Sequence, residues 1–145
     1  STHAPEFFDR YKGHCQALEK HNLTINKNAQ FNALYTEEAG YEAAIKLINS
    51  GEKFDAICAA SDLIAIGAMR ALKEHDIAIP EQVAVVGFDD IAIASFTFPP
   101  LTTVKQDTKI AGELLVNTLL DSINGEDINT TLIEPTIVVR KSCGS

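Results

Sequence analysis

The sequence predicts an α/β domain: a doubly wound, mostly parallel sheet, of the kind in which each strand hands over to a helix. Three observations carry this. Extended and helical segments alternate in units of roughly 30 residues, the length of a strand plus its crossover helix. The run "QVAVVGF" at 82–88 is apolar without alternation, as in a strand covered on both faces. The helical segments carry apolar residues on one face and have start and stop signals at their ends.

Taken in order, "PEFFDRYKGHCQALEKH" at 5–21 opens with a proline suited to the first helical turn and spaces Phe7, Phe8, Tyr11, Cys15 and Leu18 near the helical period. "AQFNAL" at 29–34 reads as a short strand. "TEEAGYEAAIKLINSG" at 36–51 has Thr36 as N-cap and two acids in its first turn. It sets Tyr41, Ala44, Ile45 and Ile48 on one face and stops at Gly51. "FDAICAA" at 54–60 is a buried strand, and "SDLIAIGAMRALKEH" at 61–75 is a helix with Ser61 as its cap. The strand "QVAVVGF" follows. Beyond "PPLTTV" comes a long helix, "TKIAGELLVNTLLDSINGE" at 108–126, and a closing strand, "TLIEPTIVVRK" at 131–141.

A chain of 145 residues predicts one domain, and its 46% hydrophobic and 22% charged residues are those of a globular protein. No apolar run approaches the roughly 18 residues of a membrane span, and the polar start "STHAPEFFDR" does not read as a signal peptide. A cytoplasmic location is the expectation, with a removed leader as the other possibility. The net charge of −8 argues against this chain gripping DNA by itself, because phosphate contacts need clustered Lys and Arg. Cys15, Cys58 and Cys143 are odd in number and lack C-x-x-C spacing, which predicts reduced, packed thiols and no metal site.

Catalytic and nucleotide motifs are missing: no G-x-S-x-G elbow, no phosphate-binding G-x-x-x-x-G-K-[ST], no G-x-G-x-x-G and no H-E-x-x-H. His3, His14, His21 and His75 fall on or beside polar helix faces and read as solvated. Polar side chains do gather at two strand ends, Ser61-Asp62 after "AICAA" and Asp89-Asp90 after "AVVGF". In open α/β sheets ligands bind beyond the carboxyl ends of the strands. Carboxylates without a nucleophile or a metal cluster favour binding over catalysis, so no enzyme and no cofactor are expected. Ser61 and Asp62 are equally well read as a helix cap and its first-turn acid.

In that order, "SDLIAIGAMRAL", "IPEQVAVVGFDD" and "PPLTTVKQD" resemble the C-terminal part of lactose-repressor/galactose-repressor (LacI/GalR) family regulators. "DRYKGHCQALEKHNL", "YTEEAGYEAA" and "IVVRKS" extend the resemblance over nearly the whole chain. It implies a fold like the type I periplasmic binding proteins, two α/β subdomains around a sugar-sized cleft. It implies a ligand set of Arg10, Tyr35, Ser61, Asp62, Asp89 and Gln106. Arg10 would donate to ligand hydroxyls or a carboxylate, and Tyr35 would stack on the apolar face of a sugar or base. Ser61 stands where the family often has Asn. Asp89 would accept from adjacent hydroxyls while Asp90 holds the turn, and Gln106 would contribute from the subdomain crossover.

The apolar loop after Asp90 carries Ile91, Ile93, Phe96 and Phe98, too many large groups for an ordinary solvated loop. The resemblance implies a homodimer contact made by this loop with Ile66, Met69 and Arg70 of the preceding helix. It also implies that residues 1–145 are an effector-binding portion of a longer repressor. A helix-turn-helix that contacts operator DNA, a hinge and the first subdomain are all absent from this chain. The apolar face of the 108–123 helix would then lack its usual partner. The expected effector is a small molecule, a sugar or sugar phosphate. A sugar-binding protein of a transport system with the same fold is the other reading, less favoured because transport relatives more often show G-F-D-G at "GFDD".

Overall fold

A computed structural model of the chain describes residues 5–144, with side chains from residue 8 onward. His3 and the side chain of Phe7 lie outside the described residues. The elements run α1 (Pro5–Lys20), α2 (Glu37–Asn49), β1 (Ala56–Cys58), α3 (Asp62–Glu74), β2 (Ala84–Asp89), β3 (Thr102–Lys105), α4 (Thr108–Ile123) and β4 (Thr136–Val138). Short 3-10 turns occupy Lys27–Ala29, Ala92–Phe96 and Lys141–Cys143.

The four strands form one sheet in the order β1-β2-β3-β4. β1 and β3 flank β2 in parallel, and β4 closes the edge antiparallel to β3. The sheet is therefore parallel-dominated with one reversed edge. β3 has no counterpart in the strands read from the sequence, where Pro99-Pro100 and a length of four residues obscure it. "AQFNAL" differs in the other direction. Residues 30–34 are irregular and pair with no strand, so β1 is left as an edge. An extended run becomes a strand only when a ladder takes its backbone groups.

The core sits between α3 and β2. Leu72, Val85 and Leu101 are fully buried, with Ala65 and Met69 beside them. Alanines and glycines make the α2–α3 crossing close: a Cβ on Gly40 would strike the backbone of Ile64, and one on Gly67 would strike the backbone of Glu37 and Tyr41. Thr36 caps α2 by accepting from the Ala39 amide at 3.1 Å, and Gly51 takes the left-handed conformation just past its end. By contrast, α4 buries none of its residues, and Leu115, Leu119 and Ile123 are all exposed. A helix with this apolar face belongs against another surface.

Candidate functional site

The carboxyl ends of β1, β2 and β3 lie side by side, and the polar groups of the sequence converge there. β2 ends at Asp89, in register with Lys105 of β3. Asp89 has φ +113° and Asp90 φ +52°, two consecutive non-glycine residues on the sparsely populated side of backbone space. From α1, the Arg10 guanidinium sits over the Phe88 ring, its Cζ 3.8 Å from the ring centroid. It donates to the Ala60 carbonyl at 2.8 Å and stands 3.6 Å from Asp89 Oδ1. Gln106 Nε2 reaches the same oxygen at 3.5 Å. The Asp89 side chain is 35% exposed, so a solute can still reach it. Burial pushes its carboxyl above the ordinary range. The Arg10 guanidinium opposes this, the neighbouring Asp62 charge adds to it, and the Gln106 hydrogen bond lowers it.

Asp90 faces the other way. Its Oδ1 accepts from Arg140 at 2.6 Å, while the same guanidinium donates to the Leu101 carbonyl at 2.8 Å. Asp90 thus ties the turn to the end of the closing strand. Arg140 and Thr103 were not among the residues singled out from the sequence. The only signal for Arg140 is an arginine ending the β-branched run "TIVV", and Thr103 carries none.

Two members of the expected ligand set are withdrawn from solvent. Ser61 is buried and caps α3, accepting from the Ile64 amide at 3.4 Å. Asp62 is 1% exposed, and both of its oxygens are engaged internally. Oδ1 accepts from the Thr103 hydroxyl at 2.5 Å and Oδ2 from the Ile91 amide at 2.9 Å. Its carboxyl is pushed up by burial and held down by those two hydrogen bonds. The structure therefore brings together Arg10, Asp89 and Gln106 and sets Ser61 and Asp62 behind them. Tyr35 stands half-buried just ahead of the α2 cap.

The residues expected at a dimer contact also divide. Met69 is buried in the core of this chain, and Ile66 and Ile91 pack against that core. Met69 is thus a correction: its position on α3 faces β2, not outward. Arg70 is exposed but engaged, bonded to Glu74 at 2.9 Å and lying 4.9 Å from the Tyr41 ring centroid. Ile93, Phe96 and Phe98 do stand outward, the two phenylalanines 84% and 88% exposed.

The arrangement can accept and donate hydrogen bonds at one small spot above an aromatic ring. Two open concavities of the chain lie elsewhere, one between residues 31–34 and α2 and one beside Phe54 and Ile77. At the Arg10–Asp89 cluster the Arg10 side chain is 19% exposed and that of Asp89 35%. Among the described residues no group of three His, Cys, Asp or Glu could hold a metal ion, and no helix is long and apolar enough to cross a membrane.

Residues 2–143 match the family described as the periplasmic binding protein-like domain. The chain is 38% identical over 129 residues to the HTH-type transcriptional regulator AscG of Escherichia coli K12, covering 89% of this chain and 38% of that protein. Its structure is similar to a sugar-binding transcriptional regulator of the LacI family from Escherichia coli complexed with phosphate, with a TM-score of 0.90 and 36% identity. That match covers 98% of this chain and 51% of the other. It is also similar to the lac repressor dimer bound to operator and the anti-inducer ONPF, with a TM-score of 0.87 and 29% identity over 92% of this chain and 40% of that one. The chain thus spans between about a third and a half of the regulators it matches. It belongs to the periplasmic-binding-protein-like family, and the relatives it matches are LacI/GalR-family regulators.

Proposed function

We propose that this chain is the C-terminal effector-binding portion of a DNA-binding transcriptional repressor, and that its effector is a polyhydroxylated small molecule, a sugar or sugar phosphate. The observation that carries this reading is the Arg10–Asp89–Gln106 cluster, formed by a side chain from α1 at the carboxyl ends of β2 and β3. A carboxylate accepts from neighbouring hydroxyls, while a planar guanidinium donates to hydroxyl, carboxylate or phosphate oxygens. Both stand here within reach of one ligand. Tyr35 adds an aromatic face for the apolar side of a sugar ring. Ser61 and Asp62 take no part in direct contact on this reading, because the first is a cap and the second is buried.

On this reading a first subdomain of the longer regulator supplies the opposing wall of the cleft. Effector then acts by favouring one arrangement of the two subdomains, and so alters DNA affinity at a helix-turn-helix also outside this chain. The repressor works as a cytoplasmic homodimer, with Ile93, Phe96 and Phe98 as the exposed part of the contact. The site performs no catalysis. Calorimetry of the full-length regulator against a panel of sugars and sugar phosphates tests this. One member should bind, and Asp89→Ala should weaken it by about 2–5 kcal/mol, the effect of deleting one partner of a buried charged contact. A hit bound equally well by Asp89→Ala would refute the assignment.

A further inference from the structure

The sequence suggests two roles for Asp62, ligand contact or first-turn acid; it does sit in the first turn of α3, but that position alone does not account for its burial. A first-turn acid on an ordinary helix points to water and helps the helix dipole. Asp62 is instead almost wholly buried, and the groups bonded to it lie 29 and 41 residues away in sequence. Those groups form a closed arrangement. The Ile91 amide donates to Oδ2. The Thr103 hydroxyl donates to Oδ1 and itself accepts from the Asp90 amide at 3.4 Å. One carboxylate thus holds two consecutive backbone amides, one directly and one through a hydroxyl relay. Those amides immediately follow Asp89.

That position matters because of the backbone there. Asp89 and Asp90 both have positive φ, which non-glycine residues keep only where their surroundings over-determine it. Gly87 is part of the same device. A Cβ at that position would collide with Asp62 Oδ1, so the glycine makes room for the carboxylate beside the strand. The chemistry also asks for a carboxylate. Two donors converge on Asp62, and an amide would turn its own NH2 towards one of them.

We propose that Asp62 is the positioning residue for Asp89: by fixing the Asp90 and Ile91 amides, directly and through Thr103, it holds Asp89 in the unusual backbone conformation that presents its carboxylate to Arg10, Gln106 and the effector. The functional weight of this inference rests on Asp89 being the effector's acceptor. The positioning itself can be tested without any effector, so the two readings fail separately.

The experiment is NMR on this chain, unaltered and as Thr103→Val, Thr103→Ser and Asp62→Asn. The three-bond amide-to-Cα proton coupling of Asp89 reports φ directly and is small at the angle observed. In the unaltered chain the Asp90 and Ile91 amides should exchange slowly with solvent. Thr103→Val keeps the shape but removes the relay, and Asp62→Asn removes the double acceptor. Each should raise the Asp89 coupling towards that of an ordinary extended residue and speed Asp90 exchange at least tenfold. Thr103→Ser restores the hydroxyl and should return both to the unaltered values. An Asp89 coupling unchanged in Thr103→Val and Asp62→Asn overturns the proposal, as does a Thr103→Ser variant that behaves like the valine. If either test variant does not fold, the unaltered chain still decides, since fast exchange at both amides would overturn it and slow exchange would support it.

Discussion

Replacing Arg140 by alanine removes the tie between the Asp89-Asp90 turn and the end of the closing strand. The guanidinium makes two contacts of good geometry, 2.6 Å to Asp90 and 2.8 Å to the Leu101 carbonyl. Its side chain is 19% exposed and that of Asp90 is 14% exposed. Exposed ion pairs contribute about 0–1 kcal/mol, whereas removing one partner of a buried pair costs about 3–5 kcal/mol. This pair lies nearer the buried limit, and the Leu101 carbonyl loses a donor as well. A loss of about 2–4 kcal/mol is therefore expected, equivalent to a fall of roughly 5–15 °C in Tm for a chain of this size. Urea unfolding of Arg140→Ala, Asp90→Asn and the double variant measures it and isolates the pair term. A loss below about 0.5 kcal/mol in Arg140→Ala, or no coupling in the cycle, would refute the view that this pair holds the turn.

Gly67→Ala should destabilise the chain by about 1–3 kcal/mol or more in thermal unfolding, because the added methyl meets the Glu37 carbonyl and the Tyr41 amide of α2, which cannot step aside as a side chain would. Asp89→Asn should raise stability at neutral pH while weakening effector binding. Burial, the largest influence on this carboxyl, lifts it above its ordinary 3.8, so the folded state holds its proton more tightly than the unfolded one. The stability it contributes is present below 3.8 and is lost as pH rises through the raised value, so the gain in Asp89→Asn should vanish in melts taken at lower pH. Phe96→Asp should shift the full-length regulator from dimer to monomer in sedimentation, since Phe96 and Phe98 are the most exposed aromatics of the loop. Unchanged sedimentation would remove the loop from the contact.

The parts of the fold legible in the sequence are those where local and global preferences agree. β2 is an unbroken apolar run, and α2 and α3 have capping side chains that the structure uses as read, Thr36 and Ser61. β3 was hidden because four residues after a double proline carry no period, and their pairing with β2 and β4 is non-local. "AQFNAL" has strand composition but no ladder to join. In the site, Asp89 was visible as a carboxylate at a strand end, and Arg10 only through the family resemblance. Asp62 was legible as the first-turn acid of α3, but its burial and its partners Thr103 and Ile91 leave no local trace. Met69 likewise sits on a helix that is covered on two sides, by α2 and by β2, and exposes only Arg70, Lys73 and Glu74, so its burial follows from that packing and not from the pattern of 62–74.

The central claim, that Asp89 accepts hydrogen bonds from effector hydroxyls, is tested most directly by a cycle between protein and ligand. Once the sugar panel yields a hit, each hydroxyl is replaced in turn by hydrogen, and each deoxy ligand is titrated by calorimetry into full-length wild type and Asp89→Ala. For one or two adjacent hydroxyls, the deoxy ligand should lose about 1.5–3 kcal/mol of affinity against wild type, the contribution of a hydrogen bond to a charged group, and almost nothing further against Asp89→Ala. If every deoxy ligand loses the same affinity in both proteins, Asp89 does not touch the effector and the account is wrong at its centre.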